Sequence, residues 1–200
     1  HFIDAFAGPI APLPAIEYAY VPIVTQRATI HAPLCLEEEL DPYRPIVVDM
    51  GVRWQGMCSD ITRTFCVQQQ QQHHLHPNNS SESTWPTRLH ALLLDTLEHI
   101  VRMVKPGVTF QTLSETCAQR LATGLATLGL VDPTRATEAV QHLMPHAVGH
   151  SIGWNVHDDG VQPRDGTWTL REGQTLALEP GLYFPDLDKS MHGIRRSVYD

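Results

Sequence analysis

The chain has 200 residues, 42% hydrophobic and 18% charged, with a formal net charge of −8. That composition describes a globular chain able to bury a core, and its acidic balance argues against nucleic acid or an anionic membrane as the main partner. Four cysteines without CxxC spacing (Cys35, Cys58, Cys66, Cys117) argue against a disulfide framework and a zinc ribbon, and no apolar run approaches the roughly 18 residues of a membrane span.

Residues 1–44 are Pro- and Ala-rich, with extended pieces such as Ala19-Tyr20-Val21-Pro22-Ile23-Val24. Ile46-Val47-Val48 and Ile61-Thr62-Arg63-Thr64-Phe65 read as β-branched strands, with Arg53-Trp54-Gln55-Gly56 as the turn of a hairpin. Residues 68–83, five glutamines and then a His/Asn/Ser tract, cannot bury apolar surface and are expected to be a disordered surface insertion. His73, His74 and His76 belong to that tract.

A helix is expected from Thr84-Trp85-Pro86 to about Lys105, with Leu89, Leu93, Leu97, Ile100 and Val104 as its apolar stripe. Pro106-Gly107 ends it, and Thr109 caps a second helix that carries Leu113, Cys117, Leu121 and Leu128 to about Gly129. From Pro145 the chain reads as strand and loop again. Helices grouped between β-rich segments predict an α+β fold, a curved antiparallel sheet covered by helices.

Twelve histidines, against fourteen Lys plus Arg, direct attention to metal binding or acid–base chemistry. Asp49 and Asp60 lie in segments of high β-propensity, where aspartate is disfavoured. A turn centred on Trp54-Gln55 places them directly opposite one another, and a shift of one residue makes them diagonal neighbours on one face. Two carboxylates so close destabilise a hairpin unless a cation lies between them. The bland alternative has one aspartate capping a turn and the other paired with Arg63.

His146, His150 and His157 fall within twelve positions of a glycine-punctuated stretch, and Glu179 ends the apolar strand Leu176-Ala177-Leu178. A carboxylate buried there needs a partner. Two aspartates, a glutamate and a histidine form an oxygen-rich set suited to Mn²⁺, Co²⁺, Fe²⁺ or Zn²⁺, and paired ions of this kind support hydrolysis at neutral pH.

The chain resembles the pita-bread metallopeptidases (family M24), in the Xaa-Pro aminopeptidase and prolidase branch. The resemblance rests on Val48-Asp49-Met50-Gly51 with Ser59-Asp60-Ile61-Thr62-Arg63-Thr64-Phe65, on His146-Ala147-Val148-Gly149-His150-Ser151-Ile152-Gly153 with Val156-His157-Asp158, and on Leu178-Glu179-Pro180-Gly181-Leu182-Tyr183. It implies that Asp49, Asp60, His150 and Glu179 bind metal, usually two manganese ions bridged by Asp60, with zinc or cobalt as alternatives. Glu179 would also help activate water, His146 and His157 would act on the substrate carbonyl, and His31 and Arg195 would lie on the substrate side. The implied substrate is a peptide with proline in second position; separately, the cysteine usage favours a cytoplasmic location, the acidic charge argues against nucleic-acid and membrane partners, and a homodimer is an open expectation.

One departure stands out. The family's Gly-Ile-Arg-hydrophobic-Glu-Asp motif reads Gly193-Ile194-Arg195-Arg196-Ser197-Val198 here, so Ser197 occupies the place of the fifth metal ligand. Residues 1–200 are expected to form one catalytic domain, incomplete at both ends, with activity lowered by Ser197. The alternatives are an inactive pita-bread domain serving as a binding module and a creatinase-like or methionine-removing enzyme.

Overall fold

The computed structural model describes residues 16–26, 45–65, 85–158 and 166–184. His31, Arg195, Ser197 and the tract 68–83 lie outside them. The chain divides into two compact units, His1–Ser80 with Ser151–Asp159, and Ser81–His150 with Gly160–Asp200.

The first unit is built around a long hairpin. Its arms are β3 (Ile46–Met50) and β4 (Val52–Trp54) on one side, β5 (Met57–Cys58) and β6 (Ile61–Phe65) on the other. With β1 (Ile16–Tyr18) and β2 (Ile23–Thr25) these strands form two antiparallel sheets, in the orders β1-β4-β5 and β2-β3-β6. The turn is tighter than the sequence suggests: Arg53 and Trp54 are strand residues, and Gln55 (φ 50°) and Gly56 (φ 85°) form the two-residue loop. Positive φ at both positions is what a type I′ turn requires, and its twist matches that of the flanking strands.

This turn lies one residue later than one centred on Trp54-Gln55, which selects the second of the two expected registers. Asp49 pairs with Thr62 and Met50 with Ile61, so Asp49 and Asp60 are diagonal neighbours on one face rather than directly opposite. The hairpin passes from one sheet to the other at Gly51 and Ser59. A Cβ on Gly51 would lie 1.9 Å from the Ser59 carbonyl oxygen, so only glycine allows this approach.

The second unit is mainly helical: α1 (Trp85–Met103), α2 (Phe110–Thr127), a 3₁₀ turn at Pro133–Arg135, and α3 (Ala136–Leu143). α1 stops two residues before the expected end, because Pro106 disfavours helical geometry at Lys105. The Thr109 side chain accepts from the Thr112 amide and caps α2 as expected. The sequence reading missed α3. Eight residues are too short for a persuasive stripe, although Ala136, Ala139, Val140 and Leu143 are buried at helical spacing and Asp132 caps the preceding turn.

These helices and the antiparallel pair β7 (Gly149–Ser151) and β8 (Leu176–Leu178) enclose one apolar cluster that includes Leu89, Ile100, Leu113, Cys117, Leu121, Leu125, Leu143 and Val148. Val104, expected in the α1 stripe, is exposed. Among the described residues, no helix is long and apolar enough to cross a membrane.

Candidate metal centre

Each unit brings part of the expected ligand set together. In the first, alternation along β3 turns Ile46 and Val48 into the core and leaves Asp49 on the opposite face, half-buried. The Tyr20 hydroxyl lies 2.5 Å from Asp49 Oδ1 and 2.7 Å from Asp60 Oδ1, sharing its proton between them. The two carboxylate oxygens are therefore at most about 5 Å apart. Such short bonds from a hydroxyl are characteristic of charged acceptors. Burial first, and then the two carboxylates, hold the Tyr20 proton far above the usual range for tyrosine.

Tyr20 is the residue that sequence reasoning missed. No motif spacing connects it to aspartates 29 and 40 positions away. The only available signal was the requirement that two neighbouring carboxylates share a partner. Gly51 helps place it, since a Cβ there would also lie 2.7 Å from the Tyr20 ring.

The first unit also holds His157, exposed on the loop Ser151–Asp158. Asp158 closes that loop: its amide donates to the Ser151 carbonyl (3.0 Å), and its Oδ2 accepts from the Trp154 amide (3.1 Å).

In the second unit, β7 and β8 place His150 against Glu179. The Glu179 amide donates to the Val148 carbonyl (2.7 Å), and His150 Nε2 lies 2.8 Å from Glu179 Oε1. His150 is 8% exposed, so its ring is held by packing as well as by this bond. Gly149 is required by the strand pairing, because a Cβ there would lie 1.9 Å from the Ala177 carbonyl oxygen. Glu179 is less buried than expected, its side chain being 36% exposed, and His150 is one of its partners.

His146, in the same unit, places Nδ1 2.7 Å from the Ala147 carbonyl oxygen. A carbonyl only accepts, so Nδ1 carries a proton. The other nitrogen, Nε2, is buried and has no hydrogen-bond partner among the described residues, and the ring lies edge-on to Tyr183 at 5.5 Å. A buried polar atom left without a partner is unusual and marks a place for an incoming group.

The two aspartate oxygens gathered on one hydroxyl in the first unit, and the histidine–glutamate pair in the second, are each donor groups of the kind a divalent cation takes. The residues present fit such an ion.

Residues 8–198 match metallopeptidase family M24. The chain is 30% identical over 148 residues to Xaa-Pro aminopeptidase of Escherichia coli (strain K12), covering 72% of this chain and 31% of that protein. It is 31% identical over 159 residues to an Xaa-Pro dipeptidase of Marinobacter nauticus, covering 72% of this chain and 34% of the relative. The chain thus spans about a third of the length of these relatives.

Among solved structures, a histidine-to-alanine variant of Escherichia coli aminopeptidase P superposes with a TM-score of 0.73 at 26% identity, over 90% of this chain and 39% of that one. Zinc-substituted Escherichia coli aminopeptidase P in complex with product gives 0.68 at 27% identity, over 83% of this chain and 37% of that one. The fold is the α+β pita-bread fold of these structures. With the family match running through all but the ends of the sequence, the chain belongs to metallopeptidase family M24.

Proposed function

We propose that this chain forms the catalytic part of a divalent-metal-dependent peptidase that cleaves Xaa-Pro bonds, as an aminopeptidase or dipeptidase. The observation that carries the reading is the convergence of Asp49 and Asp60 on one hydroxyl, a close pair of carboxylates of the kind that favours a nearby cation. The names of the relatives supply the substrate class. The match over residues 8–198, which runs through both units, supports reading them as parts of one catalytic domain.

Asp49, Asp60, His150 and Glu179 would hold the metal, for which manganese is proposed, with zinc or cobalt as alternatives. When bound, the metal polarises the scissile carbonyl and makes water acidic enough to react at neutral pH. Glu179, oriented by His150, takes the proton of the attacking water. His146 has committed its Nδ1 proton to the Ala147 carbonyl, so it can donate from Nε2 to a substrate oxygen only as the imidazolium. His157 supplies a second donor toward the same carbonyl, and His31 and Arg195 bind on the substrate side.

Ser197, in place of a carboxylate ligand, leaves repulsion between paired cations less compensated, so turnover below that of a full-length relative is expected. The same substitution favours a second reading, a pita-bread domain retained as a binding module. An Xaa-Pro peptide assayed with manganese separates the two. Slow, manganese-dependent release of the first residue that is lost in Asp60→Ala and raised in Ser197→Glu supports the enzyme. No turnover in either the wild type or Ser197→Glu supports the binding module.

A further inference from the structure

The loop that carries His157 is fastened to the tip of the metal-ligand hairpin by contacts that the ligand set does not use. Arg53 lies in β4, across from Glu17 in β1 and Cys58 in β5. Its Nη1 donates to the Trp154 carbonyl at 2.6 Å and reaches the Gly56 carbonyl at 3.4 Å. Beside it, the Cys58 amide donates to the Gly153 carbonyl at 2.8 Å, and the Cys58 thiol lies 3.5 Å from the Trp154 carbonyl. The Trp154 indole rests on Gly56, where a Cβ would lie 2.6 Å from Cζ3.

Burial does not explain this arrangement, because Trp154 is 66% exposed. The loop beyond it is closed on itself. Asp158 binds the Trp154 amide and the Ser151 carbonyl, and the Gly153 amide donates to the Asn155 carbonyl at 3.1 Å. His157 therefore sits on a short closed turn whose attachments to the hairpin include the carbonyls of Gly153 and Trp154 and the indole on Gly56. A cationic donor on one of those carbonyls converts a self-contained turn into one with a fixed position relative to Asp49 and Asp60.

We propose that Arg53, with the Trp154 indole seated on Gly56, is a positioning residue that sets where His157 stands relative to the carboxylate pair. This rests on the reading of His157 as a donor to the substrate carbonyl. Displacing a catalytic group by about 1 Å costs on the order of 100-fold in rate, so a single latch of this kind governs turnover without touching substrate.

The test uses the full chain with ¹³C-labelled histidine, the His157 ring signal being assigned with His157→Gln, and Arg53→Met and Arg53→Lys as variants. In Arg53→Met the His157 signal is expected to move toward that of a free histidine peptide. On an Xaa-Pro peptide, kcat is expected to fall ~10- to 100-fold with KM nearly unchanged. Arg53→Lys retains a donor and is expected to keep the signal in place and recover most of kcat. A His157 signal unmoved in Arg53→Met overturns the latch, as does an Arg53→Lys variant that behaves like Arg53→Met.

If Arg53→Met does not fold, the wild type decides with ¹⁵N-labelled arginine. Slow rotation about the bond to Nη1 of Arg53 supports the latch, and a freely rotating guanidinium overturns it. The nuclear magnetic resonance measurements need neither metal nor turnover. A chain that cleaves nothing therefore fails the enzymatic reading alone, and the signals still decide the latch.

Discussion

In the helical unit, Leu113, Leu121, Leu125 and Ile100 are fully buried among one another, and the site residues His150 and Glu179 extend from strands lying against that cluster. The hairpin unit is ordered differently. β6 is exposed at all five of its positions, and the geometry of Asp49, Asp60 and His157 depends on a shared tyrosine hydroxyl, glycine contacts and an arginine on a loop carbonyl. One unit positions its functional groups through an apolar core that tolerates no voids, the other through polar bonds that are individually weaker but directional. Substitutions should therefore separate the two, with packing changes dominating in one and loss of single polar atoms dominating in the other.

The largest effect is expected from the helical core. Leu121→Ala removes a fully buried side chain and should cost about 2–5 kcal/mol in urea unfolding. A loss below about 1 kcal/mol would show that α2 is less tightly packed than its burial indicates.

In the hairpin, Tyr20→Phe leaves shape nearly intact but removes a donor shared by two carboxylates, and should cost about 1.5–3 kcal/mol. It should also change the alkaline limb of stability. The folded chain keeps the Tyr20 proton while the unfolded chain releases it near the ordinary tyrosine value of about 10, so stability present below that pH is lost above it. Tyr20→Phe removes that part of the decline. An unchanged alkaline limb would contradict the tyrosine-centred hairpin.

On the helical side, Cys117 of α2 is fully buried. Burial raises its thiol from 9.0 to about 11. Its contribution is complete below pH 9, where both states hold the proton. It is lost between pH 9 and about 11, where only the unfolded chain ionises, amounting to on the order of 2 kcal/mol. Thiol titration with a disulfide reagent at pH 9 should be slow in the native chain and fast in urea. The smallest change is Thr109→Ala, which removes the α2 cap and should cost about 1 kcal/mol in the same unfolding assay.

The helical unit was legible from periodicity. Leu89, Ile100, Leu113, Cys117 and Leu121 are where the spacing placed them, and Thr109 caps as its position suggested. Where the pattern was short, in α3, it gave too little signal. The hairpin was legible mainly through chemical incongruity. Aspartates in β-rich segments marked the site, but the register depended on a single turn residue, Gln55 at positive φ, which residue preferences do not favour. Tyr20, Arg53 and Trp154 act across 29 to 101 positions of sequence, and no local rule reaches that far. Roles assigned to His31, Arg195 and Ser197 lie outside the described residues and rest on motif resemblance alone.

If Asp60 is a metal ligand as proposed, divalent-cation binding depends on its carboxylate, and calorimetric titration of the chain with manganese measures that dependence directly. Asp60→Ala is the control that excludes binding by the histidines of the tract 68–83. The expected result is saturable binding by the wild type that weakens by at least about 100-fold in Asp60→Ala, since loss of a ligand should exceed the 10- to 100-fold typical of outer-shell changes. Equal manganese affinity in the wild type and Asp60→Ala would contradict it.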